Sequence, residues 1–156
     1  MIDKKGLNEY TNKELLEVLN SKKEIEAYTL FKFLYEENTK TNKYYSYFEE
    51  FLKMIYDKSS YIRMRGFRLC SMLAKWDKKK KIDKNLEKML ILLEDEKPTT
   101  IRIVLSCMKE ILEYKPYLAK IIKKNLKRID YSKYKDTMVP LIKKDIDKIN
   151  KIIDSI

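Results

Sequence analysis

Ser60-Tyr61-Ile62-Arg63-Met64-Arg65-Gly66-Phe67-Arg68-Leu69-Cys70-Ser71-Met72-Leu73 decides the fold. A hydroxyl residue precedes apolar positions that recur every three or four residues, the spacing of one face of a helix. Shifting the chain by 39 residues in either direction finds the pattern again. Ser21, Ser60 and Thr99 form one column. Ile25, Met64 and Ile103 form another, as do Leu30, Leu69 and Met108; Phe33, Met72 and Ile111; Leu34, Leu73 and Leu112. Ala27, Gly66 and Leu105 share a column that holds small residues twice. The three hydroxyls are expected to be helix N-caps, and Ser21 to Glu24 reads as a capping box.

The segments between these helices repeat as well. Tyr47, Phe51 and Met54 match Leu86, Leu90 and Leu93 at the same offset, and these match Ile122, Leu126 and Ile129 at an offset of 36. Thr11-Asn12-Lys13-Glu14 is a capping box ahead of Leu15, Leu16 and Leu19. Pro116 and Pro140 suit the first turns of later helices. The expected architecture is all-α: about eight helices in four antiparallel hairpins, over residues 11–38, 43–76, 82–114 and 116–156 of a single domain. No hairpin can bury its apolar face alone, so neighbours must stack, as in a right-handed α-α superhelix of the HEAT or armadillo kind.

Composition agrees. The 156 residues include two Gly, three Pro and no His, with 44% hydrophobic and 38% charged. Scarce glycine disfavours folds rich in tight turns. Without His, every His-dependent triad, His zinc site and imidazole switch is excluded. Cys70 and Cys107 form no disulfide framework and read as reduced thiols in apolar segments. No apolar leader is visible in Met1–Asn8, and the longest apolar run, Met89–Leu93, is too short to span a bilayer, so a cytoplasmic location is expected.

The net charge of +11 is unevenly spread. Residues 1–57 carry 9 basic and 11 acidic side chains, whereas residues 58–156 carry 26 and 13. Only five of the 35 basic residues are Arg. Lysine is a hydrated point charge, whereas bidentate reading of phosphates and bases favours Arg.

Asp57-Lys58-Ser59-Ser60-Tyr61-Ile62-Arg63-Met64-Arg65-Gly66 resembles the centre of a HEAT unit, with Asp in the turn and an apolar-Arg pair early in the second helix. Asp95 with Ile101-Arg102 matches again, while Lys23-Glu24 departs in the first unit. The resemblance implies an Asp–Arg ladder between neighbouring units. Ala74-Lys75-Trp76-Asp77, Asp95-Glu96-Lys97-Pro98, Tyr114-Lys115-Pro116 and Tyr131-Ser132-Lys133-Tyr134-Lys135-Asp136 are similar to small stand-alone HEAT-like proteins of Gram-positive bacteria, some labelled SufBD-like. The resemblance spans most of residues 21–148 and implies a fold. Two isolated cysteines do not supply the thiolates of an iron–sulfur cluster.

Function is expected to reside on surfaces. One stripe per inner helix stays free of core columns: Thr29, Lys32 and Glu36; Arg68, Ser71 and Lys75; Cys107, Glu110 and Tyr114. In a solenoid these line the concave face, giving Lys32, Glu36, Arg68, Ser71, Lys75, Glu110 and Tyr114 as candidate contacts for a protein or peptide partner. The alternative is sequence-independent nucleic-acid binding through Lys120, Lys123, Lys124 and Lys127, with Lys144, Lys148 and Lys151 repeating the spacing on the last helix. Tyr44, Tyr47, Phe48 and Phe51 read as core. Trp76-Asp77 invites comparison with HEAT-like proteins acting on alkylated DNA, but Trp76 reads as sealing a core edge. No nucleophile–base pair or phosphate loop can be named, so no catalysis, cofactor or metal is expected.

Overall fold

A computed structural model of the chain describes residues 9–156; the opening segment read above for a leader lies outside them. Every regular element among the described residues is helical. The chain forms two compact units that divide between Trp76 and Asp77.

The first unit holds α1 (Asn12–Leu19), α2 (Glu24–Asn38), α3 (Phe48–Met54) and α4 (Ser60–Met72). The capping box that starts α1 is present: Thr11 Oγ1 accepts from the Glu14 N–H at 3.1 Å, and Glu14 Oε1 accepts from the Thr11 N–H at 3.2 Å. A 3₁₀ turn, Lys43–Tyr47, leads into α3, and another, Leu73–Trp76, ends α4. α1 packs on α2, α3 on α4, and α2 on α4. Tyr44, Phe48 and Phe51 are buried as expected, whereas Tyr47, also read as core, is half-buried and its hydroxyl donates to Asn12 Oδ1. Gly66 sets the distance between α3 and α4. A Cβ there would stand 2.6 Å from Met54 Cβ, 2.9 Å from the Phe51 carbonyl oxygen and 3.0 Å from the Ile55 nitrogen.

The second unit holds α5 (Lys81–Met89), α6 (Pro98–Tyr114), α7 (Ala119–Asn125) and α8 (Val139–Asp154). α6 packs on α8 and on the 3₁₀ turn Leu90–Glu94 that extends α5. Pro116 opens the 3₁₀ turn before α7, and Pro140 lies in the first turn of α8. Both positions suit a residue that has no N–H to donate.

α5 starts at Lys81, and most repeat columns are core. Leu30, Leu69 and Met108 are buried, as are Leu34, Leu73 and Leu112, and Ala27, Gly66 and Leu105. Burying each of the larger side chains contributes about 1.5–3 kcal/mol. Two columns depart. Ile25 is 86% exposed with Met64 and Ile103 half-buried, and Phe33 is exposed where Met72 and Ile111 are buried. The cause is that α2 carries apolar residues around most of its circumference but buries only the face of Ala27, Leu30, Phe31, Leu34 and Asn38.

The hydroxyl column also needs correction. The N-caps are Lys23, Ser59 and Lys97, so Ser60 and Thr99 lie inside their helices, and Ser21 precedes its helix by three residues. The repeated device sits two residues before each cap. Ser21 Oγ accepts from the Lys23 N–H, Asp57 Oδ2 from the Ser59 N–H, and Asp95 Oδ2 from the Lys97 N–H, at 3.3, 2.9 and 3.1 Å. Ser and Asp are interchangeable in such a turn because each offers an oxygen to the backbone two residues on. Glu24 closes no capping box; its carboxylate receives Arg65.

Candidate binding face of the first unit

α2 reads Tyr28-Thr29-Leu30-Phe31-Lys32-Phe33-Leu34-Tyr35 through its middle. Leu30 and Leu34 face the core, which places Tyr28, Phe31, Lys32 and Tyr35, at i, i+3, i+4 and i+7, on one adjoining stripe. Tyr28 stacks on Phe31 with centroids 6.3 Å apart and planes 22° apart, and Phe31 meets Tyr35 at 5.9 Å. Phe31 is nearly buried and anchors the row, whereas Tyr28 and Tyr35 remain 45% and 42% exposed.

Two cations rest on these rings. The Lys32 ammonium lies 4.9 Å from the Tyr28 centroid. From α4, the Arg68 guanidinium lies 4.9 Å from the Phe31 centroid and 5.8 Å from that of Tyr28. Each such contact is worth about 0.5–1 kcal/mol at an exposed site and fixes where the cation sits.

The five arginines differ in how their donors are used. Arg63 donates to the carbonyls of Asp57 and Lys58. Arg65, buried, donates to the carbonyls of Leu19 and Ser21 and pairs with Glu24. Arg102 holds both carboxylate oxygens of Asp145, at 2.7 and 3.3 Å, and Arg128 pairs with Glu94. Arg68 alone has no hydrogen-bond or ion-pair partner among the described residues.

Lys32 and Arg68 are thus brought together, and Glu36 is exposed one turn beyond Lys32. Lys75 donates to the Thr39 carbonyl at 2.7 Å and lies 5.0 Å from the Trp76 ring. Ser71 does not belong to a binding face. It is fully buried and its hydroxyl donates to the Phe67 carbonyl, because α4 is packed by both α2 and α3 and buries most of its circumference. Glu110, half-buried, and Tyr114, exposed, lie on α6 of the second unit. Reading the sequence missed Tyr28, Phe31 and Tyr35. Their signal was the aromatic spacing on α2, one position off the core columns.

Trp76 is half-buried and donates its indole N–H to the Asn38 carbonyl at 2.8 Å, and Asn38 Nδ2 donates to the Met72 carbonyl. These bonds close the end of the first unit's core. Asp77 is committed elsewhere. Its carboxylate accepts from the backbone N–H groups of Lys81 and Ile82 at 2.8 and 2.9 Å and pairs with Lys115 at 3.1 Å.

Lys115 forms a second cluster that the sequence did not announce. Its ammonium also pairs with Asp83 at 2.6 Å and donates to the Tyr117 hydroxyl at 3.2 Å, with only 4% of its side chain exposed. Burial pushes the lysine down, but the bonds to Asp83, Tyr117 and Asp77 outweigh it and hold the ammonium above the ordinary lysine range. Burial likewise pushes the Asp83 carboxyl up, and the bonds from Lys115 and Tyr117 bring it below its ordinary value.

The lysine row of the second unit is exposed. Lys120, Lys123 and Lys127 form no ion pair among the described residues, and Lys124 stands 3.8 Å from Glu87. α7 ends at Asn125, so Lys127 falls in the tighter 3₁₀ turn Leu126–Arg128, off the register of the other three. A groove of about 170 Å³ between α6 and α8 is lined by Leu105, Ile149 and Ile152 together with Lys109, Asp145 and Lys148. Among the described residues no group of three or more Cys, Asp or Glu side chains converges to hold a metal ion, and no helix is long and apolar enough to cross a membrane. Compared with known proteins, the chain matches no family model, no curated protein and no solved structure.

Proposed function

We propose that the chain is a non-catalytic, cytoplasmic interaction module built of HEAT-like helical hairpins in an α-α superhelix, and that it binds a protein or peptide partner through the face of α2 and α4. The packing of α2 on α4 and of α6 on α8 supports the repeat architecture, as do the buried columns. The observation that carries the function is Arg68: a guanidinium positioned on aromatic rings, beside exposed tyrosines, with its donors unspent. Tyr and Arg are the residues that most often dominate binding energy at protein interfaces.

The test is affinity capture from native lysate with the full chain, the Tyr28→Ala/Tyr35→Ala variant, and the Lys120→Glu/Lys124→Glu/Lys127→Glu variant. A partner held by the first and third but lost from the second supports this face. A partner retained equally by all three removes it. The exposed, unpaired Lys120, Lys123 and Lys127 favour one second reading, sequence-independent nucleic-acid binding. Its mark is a steep log–log salt dependence, whose slope the triple reversal flattens by about one for each phosphate left unneutralised.

A further inference from the structure

Resting on the binding face proposed above, we infer that its ligand is an acidic linear peptide in which a carboxylate, flanked by an aromatic or aliphatic side chain, is taken by Arg68. A guanidinium presents donors in a planar fork that matches a carboxylate, and the Phe31 and Tyr28 rings hold that group in place in advance. The local charge is incomplete. Lys32 and Arg68 share the Tyr28 ring, and the Lys32 ammonium rests there and not on Glu36 one turn away. No carboxylate among the described residues pairs with either cation, so an incoming one relieves their mutual repulsion. Tyr28 and Tyr35 supply exposed area for the neighbouring side chain.

The same features disfavour a nucleic acid here. A stacking platform needs open ring faces for successive bases, but the cations already lie over Tyr28 and Phe31. Residues 1–76 carry 14 basic and 11 acidic side chains, and Glu36 is exposed on α2 one turn beyond Lys32. A phosphodiester chain brings a charge with every nucleotide and would meet Glu36; a peptide with one placed carboxylate need not.

The experiment is fluorescence anisotropy of the full chain with a labelled hexapeptide of alternating glutamate and tyrosine, against its all-glutamate counterpart, near physiological salt to screen distant charges. The mixed peptide is expected to bind about tenfold tighter than the all-glutamate one. Arg68→Ala should weaken it about tenfold, and Arg68→Lys about fivefold although charge is kept. The triple lysine reversal should change it less than about twofold. Far-UV circular dichroism checks that each variant is folded. No binding of the mixed peptide, equal binding of both peptides, or full affinity in Arg68→Lys overturns the inference. So does Arg68-dependent competition by an oligothymidylate, which would reassign the site to nucleic acid. If the peptide assay fails while a captured partner still depends on Tyr28 and Tyr35, the inference falls and the binding face stands.

Discussion

Replacing Gly66 with alanine should destabilise the first unit, against the usual preference of helices. In a helix interior alanine is favoured over glycine by about 1 kcal/mol. Here the added Cβ would stand 2.6 Å from Met54 Cβ, where ordinary contact begins at 3.4 Å, so α3 must retreat by about 0.8 Å. Two of the three nearest atoms, the Phe51 oxygen and the Ile55 nitrogen, are backbone and cannot rotate aside. Overpacking of this kind costs about 1–3 kcal/mol, and backbone obstruction points to the upper end. The net loss is therefore about 2 kcal/mol. At a urea dependence of about 2 kcal/mol per molar, the midpoint falls by about 1 M. Trp76, the only tryptophan, lies in the same unit, so its fluorescence follows the relevant transition. An unchanged or higher midpoint would refute the close approach of α3 to α4. The comparison is sharp because the equivalent column holds Ala27 in α2, and the repeat alone would predict a harmless change.

Lys115→Met should cost about 3–5 kcal/mol, since it removes the buried ammonium that pairs with both Asp77 and Asp83; chemical denaturation measures it. Because the folded Asp83 carboxyl is held below its ordinary value, its contribution is present above the unfolded pKa of about 4 and is lost as pH falls through the folded value. A denaturation series in acid should show that loss in the parent chain and a flatter response in Lys115→Met. Trp76→Phe should cost about 1 kcal/mol by removing the indole N–H that Asn38 accepts, measured by circular dichroism melting; no change would mean the bond adds nothing.

The helical fold was legible because its signals are local and repeated. Leu30, Leu69 and Met108 recur at one offset and all lie in the core, and Thr11 with Glu14 makes the box their spacing implied. What failed was phase. Ile25 and Ser21 share columns with their counterparts, yet α2 begins at Glu24, and an Asx-like turn does the work assigned to a cap. A fixed offset records the spacing of core positions, whereas the start of a helix is set by which oxygen reaches which N–H. The binding face was legible in half. Lys32 and Arg68 stand out as polar positions between core columns. The rings beneath them look like more core, and nothing in composition separates a buried Phe31 from a half-exposed Tyr28. Lys115 was opaque for another reason: its partners, Asp77 and Asp83, lie more than thirty residues away.

Arg65 binds the Leu19 and Ser21 carbonyls and the Glu24 carboxylate, three acceptors gathered in the short stretch where α1 hands over to α2. One side chain of α4 thereby grips both ends of that joint. Peeling the N-terminal hairpin off α4 breaks all three contacts, so amides of α1 and of the start of α2 should exchange with solvent more slowly than those of an untethered terminal helix. What looks like a terminal fringe, where fraying would normally begin, is latched from inside.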